Sequence, residues 1–447
     1  MSDHVFPRSA VASMPKAAAA SGCHITDANG KSYLDASGGA AVSALGHGHP
    51  RVIAAVKRQL DLMAYAHTGF FTSEPAEQLA DMLVAKAPEG IDRVYFVSGG
   101  SEAVEAAIKL ARQYQMEIGE TDRYKIISRW QSYHGNTLGA LAAGGNRWRR
   151  AQFAPLLANA FVHIDPCHHW RFGEAGESAF AYGQRVANAL EETILAEGPQ
   201  TVAAFMAEPV VGATMGAVPA VEGYFNRIRE ICDQYGVLLI LDEVMCGMGR
   251  TGHWFASEAD DVRPDIVCIA KALGAGVQPI GAMLCSAAIY DAIASGSGFF
   301  QHGHTYLGHA SACAAGIAVL TEIEEADLLA NVARQGAAIK NALGSALGQH
   351  PNIGDIRGRG LFIGLEFVAD RETKDAFAPA MKLHAKLKSA AMKNGLMIYP
   401  MGGTIDGVRG DHVLLAPPYI MDDTGADELI SKFVQTVDEV IPAAATV

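Results

Sequence analysis

Residues 224–252 read YFNRIREICDQYGVLLILDEVMCGMGRTG. The first dozen have the spacing of an amphipathic helix, and VLLIL then forms a short apolar run, which suits a buried strand. That strand closes on two acids, Asp242 and Glu243, and a glycine-rich loop follows. A carboxylate at such a place needs a cation or hydrogen-bond donors beside it, or its pKa rises. The ordinary alternative is an acid that caps the next loop.

The same alternation extends outward. PRVIAAVKRQLDLM, SEAVEAAIKLARQYQ and YFNRIREICDQYG read as helices, whereas RVYFV, YKIISR, VAAFMAEP and DIVCIA read as strands. Strands alternating with helices predict an α/β fold with a mostly parallel sheet covered on both faces. The first fifty residues alternate turns with short extended pieces. After about Ser311 the order becomes a long helix, strands in IGDIRGRGLFIGLEFV, a helix over residues 381–394, and a last strand in DHVLLAPP. The expected division is therefore an N-terminal segment 1–50 packing with the small domain, a large domain 51–310, and a small α+β domain 311–447. A chain of 447 residues, half hydrophobic and 19% charged, is long and apolar enough for such cores.

Ligands of parallel sheets gather outside the carboxyl ends of the strands. Three such ends carry chemistry. VYFV runs into Ser98-Gly99-Gly100-Ser101 and a helix start, where small residues and free N–H groups suit an anion. The plain alternative is a turn with Ser101 as N-cap. Asp242 closes the second strand. Lys271 closes the third, DIVCIA, where a snorkelling side chain is the plain alternative and a neutral, Schiff-base-forming amine the chemical one. A lysine, a phosphate cup and a carboxylate together fit one cofactor, pyridoxal 5'-phosphate (PLP), whose aldehyde, phosphate and pyridine nitrogen they would meet.

SGGSEAVEAAIKLAR, RWQSYHGNTLGA, AAFMAEPVVGATMG, LLILDEVMCGMGRTG, DIVCIAKALGAG, HGHTYLGH and DHVLLAPP resemble, in unbroken order over about residues 25–420, the class III (omega) aminotransferases of PLP fold type I. The resemblance implies a large domain with a mostly parallel seven-stranded sheet plus a smaller α+β domain. It implies Lys271 as the residue bonded to the cofactor and Asp242 as partner of the pyridine nitrogen. Gly100 and Ser101 would hold the phosphate, Tyr133 and Val244 the two ring faces, and His134 and Glu208 would lie beside them. Thr305 resembles the threonine that reaches the phosphate of a neighbouring subunit, which implies a homodimer with shared active sites, or a tetramer.

Met245 stands three residues after the aspartate, where ornithine-type members carry glutamine, and this resembles the amine:pyruvate and β-alanine:pyruvate branch. Ala40 and Ala41, where that branch often has a bulky residue, imply a wide substrate pocket flanked by Phe70 and Phe71. Arg409 lies in the loop where the branch keeps a mobile, carboxylate-binding arginine, with Arg357 and Arg359 as runners-up. The implied function is a transaminase moving an amino group from an amine or omega-amino acid to a 2-oxo acid, with pyruvate expected, by a ping-pong mechanism. An aminomutase, racemase or decarboxylase on the same fold is the alternative, and a non-catalytic relative the last.

The formal net charge of −13 disfavours nucleic acid as a partner. The arginines of NRWRR, residues 146–150, read as a solvated face or subunit contact, with anion binding as the alternative. Seven scattered cysteines without a C-x-x-C pair suit a reducing cytosol. HIDPCHHW, residues 163–170, has ligand-type residues without a second cluster, so no metal is expected. The first twenty residues lack a signal-peptide pattern, and YGVLLILDEV is too short to span a bilayer. The expectation is a cytoplasmic protein.

Overall fold

Residues 4–11 and 13–441 are described by a computed structural model of the chain. The extreme ends of the expected outer segments, residues 1–3 and 442–447, lie outside the described residues. Its central feature is a seven-stranded sheet ordered Ile91–Val97, Gly281–Ser286, Ile266–Ile269, Leu238–Asp242, Val202–Ala207, Lys125–Arg129 and Phe161–Ile164. Only Gly281–Ser286 runs antiparallel to its neighbours. The carboxyl ends of the other six therefore share one edge. The fold is the α/β, mostly parallel arrangement expected from the alternation.

Period-two alternation divides the strands between two cores. Leu239 and Leu241 join Phe205 and Ala207 beneath helices Ala179–Glu197 and Tyr224–Tyr235. Leu238 and Ile240 join Ala204 and Met206 beneath helix Gly100–Glu117. Each wholly buried Leu, Ile or Phe contributes roughly 1.5–3 kcal/mol. The same alternation sets Asp242 on the face of helix Gly100–Glu117 and turns Glu243 to the other.

Two smaller sheets flank the large one. Ile353–Arg359, Phe362–Phe367, Asp411–Leu415 and Tyr399–Gly402 form one, entirely antiparallel. The other joins Ala17–Ser21, His24–Asp27 and Ser32–Asp35 to Leu396–Met397, so strands from opposite ends of the chain pair in parallel. The long helix expected after Ser311 is two helices, Ala310–Glu325 and Leu328–Leu347. They break at Asp327, whose backbone is left-handed with φ 48°. The first of them packs on Pro50–Leu62 and Glu74–Val84.

A buried ionic cluster ties the small sheet to the rest. Glu366, fully buried, meets Arg357 at 2.7 Å, the Nε of Arg171 at 2.6 Å and His168 at 3.2 Å. Burial alone would raise its carboxyl, but Arg357, His168 and Arg171 hold it well below the usual range.

Candidate active site

Five strand ends on the shared edge deliver the residues of one cleft, with a cavity of about 250 Å³. Ile266–Ile269 ends two residues before Lys271, whose backbone takes φ 49° and turns the side chain out of the strand's path. The amine of Lys271 makes no hydrogen bond or ion pair among the described residues. Burial pushes it down to about 8, and Asp242 and Glu208 pull the other way. A neutral amine near pH 8 is a nucleophile and a base, which a surface lysine is not.

Asp242 faces that amine from the neighbouring strand. Its Oδ2 lies 2.8 Å from His134 Nδ1, and its Oδ1 accepts from the Val244 N–H at 3.0 Å. His134 and Asp242 are both buried, and His134 Nε2 has no partner. Glu208, buried after Val202–Ala207, accepts from Tyr133 N–H at 3.0 Å and Gly212 N–H at 2.9 Å, while burial raises its carboxyl. Glu243 points away: it accepts from Ala256 N–H at 2.5 Å and Ser257 N–H at 3.0 Å, capping the following loop. Of the two adjacent acids, one serves the cleft and one the scaffold.

Helix Gly100–Glu117 aims its N-terminus at the cleft, with Gly99 as N-cap and no side-chain capping bond. Ser101 is therefore inside the helix, and the N-cap alternative for it is corrected. Its hydroxyl donates to Asn136 Oδ1 at 2.8 Å and accepts from Asn136 N–H at 3.0 Å. A Cβ at position 100 would sit 2.6 Å from Val244 Cγ1, so glycine lets helix and valine close together. Tyr133 forms another wall, and burial holds its phenol above the ordinary value although Arg149 pulls it down.

These residues fit PLP. The helix start offers unpaired N–H groups to a phosphate. Val244 and Tyr133 offer two apolar faces, Asp242 a fixed carboxylate, and Lys271 the only amine lining the cavity among the described residues.

Other expected site residues lie elsewhere. Ala41 is buried behind the wall against Met245 and Phe362, while Ala40 lines the cleft itself. Phe70 and Phe71 are 81% and 68% exposed. Thr305 is exposed, its carbonyl accepting from the Tyr65 hydroxyl at 2.8 Å. Arg409 is exposed and bound to Asp406 at 2.7 Å. Arg357 lies in the Glu366 cluster, and Arg359 pairs with both oxygens of Asp260 at 2.8 Å. The histidines of HIDPCHHW go separate ways: His163 to Ala143 O, His168 to Glu366 and His169 to Glu177 O. Among the described residues no group of three His, Cys, Asp or Glu side chains could hold a metal ion.

Arg8, Arg149 and Tyr399 also line the cleft; Arg8 and Tyr399 were not foreseen, and Arg149 only through the anion-binding alternative for residues 146–150. Arg149 belongs to the NRWRR run, whose basic character was the one available signal.

The same architecture occurs in solved transaminases. An (S)-enantioselective omega-transaminase from Thermomicrobium roseum matches with a TM-score of 0.91 and 35% identity, covering 98% of this chain and 96% of that one. An amine transaminase from an uncultivated Pseudomonas species, solved in its PLP-bound form, matches with a TM-score of 0.91 and 34% identity over 98% and 99%. Fold and site thus define a transferase of the transaminase class. The family model for class-III aminotransferases matches residues 7–437, and the chain belongs to that family. An uncharacterized aminotransferase of Schizosaccharomyces pombe is 42% identical over 96% of this chain and 94% of its own. A chloroplastic gamma-aminobutyrate transaminase of Solanum lycopersicum is 37% identical over 88% and 74%.

Proposed function

We propose that this aminotransferase moves an amino group from an amine or omega-amino acid to a 2-oxo acid, pyruvate being the expected acceptor, in two half-reactions of ping-pong type. The observation that carries the reading is the amine of Lys271, without a hydrogen-bond or ion-pair partner among the described residues, in the cleft that Asp242 also lines. PLP, when bound, supplies the aldehyde that takes the amino group and the ring that accepts electrons from the reacting carbon. Lys271 would bond to it at rest, and its amine, once displaced by substrate, moves a proton at the reacting carbon as general base. Asp242, fixed by His134 and the Val244 N–H, supplies a negative charge for the ring nitrogen. Gly100 and Ser101 would hold the phosphate, and Val244 and Tyr133 would keep the ring in one plane.

A homodimer accompanies this reading, because Thr305 and Phe70 are exposed and outside the lining of their own chain's cleft. They would reach a cofactor through a second copy. Seven free cysteines, six of them buried, suit a reducing compartment such as the cytoplasm.

Mixing the PLP-loaded protein with an amine alone tests the reaction. Conversion of the cofactor to its amine form, read as loss of the visible band, followed by its return on adding pyruvate, is the expected result. Lys271→Ala should block both halves. Retention of the band with release of CO2 or an isomerised amine would replace the transaminase reading with a decarboxylase or mutase.

A further inference from the structure

Among the described residues, Arg149 is one of two arginines that line the reactive cleft. Its guanidinium lies 4.7 Å from the Tyr133 ring centre on the cleft wall, and its buried Nε has no hydrogen-bond partner. It makes no ion pair among the described residues. Arg8, lining the same wall, likewise makes none. By contrast Arg171, Arg357 and Arg359 are matched to carboxylates. A guanidinium partly withdrawn from water and left unmatched is costly unless an anion completes it.

The backbone beneath Arg149 is held in place. Asn146 caps the short helix Arg147–Ala151 by accepting from the Arg149 N–H at 3.1 Å. Its amide donates to Gln131 at 3.1 Å, and Gln131 in turn donates to Gly403 O at 2.6 Å and Thr404 O at 3.0 Å. Arg149 is therefore set on a buried polar chain that reaches the small sheet. Beyond it, a second cavity of about 350 Å³ shares Tyr133, Gly135 and Arg149 with the first and adds Leu141, Trp148 and Phe153. The arginine stands at the junction of the reactive cleft and an apolar side chamber.

We propose that Arg149, with Arg8 lining the same cleft, binds the carboxylate of the substrate, so that the chain acts on amino and oxo acids anchored beside Tyr133. The inference rests on the transaminase reading for the reaction and on the cleft geometry alone for the residue. A planar guanidinium takes a carboxylate through two parallel hydrogen bonds, and the Tyr133 ring packs against that of Arg149 at 4.7 Å. Asp242 is reserved for the cofactor's ring nitrogen, which leaves Arg149 and Arg8 as the guanidiniums of the cleft lining that can take the substrate's carboxylate.

The test uses the PLP-loaded protein with Arg149→Met and Arg149→Lys. Readouts are KM for pyruvate, KM for a neutral arylalkylamine, affinity for PLP, and calorimetric binding of glutarate, which has no amine to transfer. Arg149→Met should raise KM for pyruvate and weaken glutarate about tenfold to a hundredfold, shift KM for the amine less than about threefold, and regain part of the loss as lysine. Equal losses for amine and acid would make Arg149 a structural residue and overturn the inference. Weakened PLP with unchanged glutarate binding would assign it to the cofactor's phosphate, which also overturns it. Should the wild-type protein convert no amine at all, the transaminase reading fails, while a loss of glutarate binding in Arg149→Met still upholds the anion site.

Discussion

His134 Nδ1 lies 2.8 Å from Asp242 Oδ2, and both side chains are more than nine-tenths buried. The pair comes from strand ends 108 residues apart. With the Val244 N–H on its other oxygen, Asp242 has a fixed orientation before any ligand arrives. Asp242→Asn keeps the shape and removes the charge. It should slow the amine half-reaction about a hundredfold to a thousandfold in single-turnover absorbance measurements.

Lys271 should impose a pH signature on the cofactor-free chain. Burial lowers its amine to about 8 from the ordinary 10.5, so between these values the folded state binds fewer protons than the unfolded one. The cost of the buried charge is full below pH 8 and vanishes as pH rises through 10.5. Cofactor-free Lys271→Met should therefore melt above wild type near neutral pH, with the gap closing in alkali. Paired thermal melts across that range check the sign.

Gly135 offers a test of close packing. Its φ is 142°, and a Cβ there would meet Ser101 Oγ at 2.6 Å. Gly135→Ala should cost about 1–3 kcal/mol in urea unfolding and loosen PLP through the displaced Ser101. Gly100→Ala, pressing on Val244, should weaken PLP by a similar margin in equilibrium titration.

Glu366 should be worth more than any surface ion pair. Glu366→Ala leaves Arg171 without its carboxylate and Arg357 with Asp355 alone, and should destabilise the fold by about 3–5 kcal/mol. Because its folded carboxyl is held below the ordinary 4.5, its stabilising contribution is present above that value and is lost as pH falls further. Acid unfolding of wild type and variant should converge.

Strand ends were readable because periodicity and burial are local. Lys271, Asp242 and the Gly100 turn each follow a recognisable apolar run, and the structure brings all three to one cavity. Periodicity alone does not say which of Asp242 and Glu243 faces the cleft, since adjacent residues turn to opposite faces; the family resemblance chose Asp242. The antiparallel Gly281–Ser286 escaped notice because its small residues, GAMLCS, carry no clear alternation. Arg8 and Tyr399 were hidden for a different reason: loops and distant strands bring them together, and no spacing rule links positions so far apart.

The pairing of Ser32–Asp35 with Leu396–Met397 has a consequence for how the protein comes into being. Ala40 follows the first strand closely and Tyr399 the second, and both are walls of the Lys271 cleft. During synthesis the lysine emerges long before its enclosure can close. Until the ribosome has passed Tyr399, that amine stands in an unfinished chamber that lacks one of its walls. The walls that one chain gives to this cleft are thus complete only near the end of its synthesis.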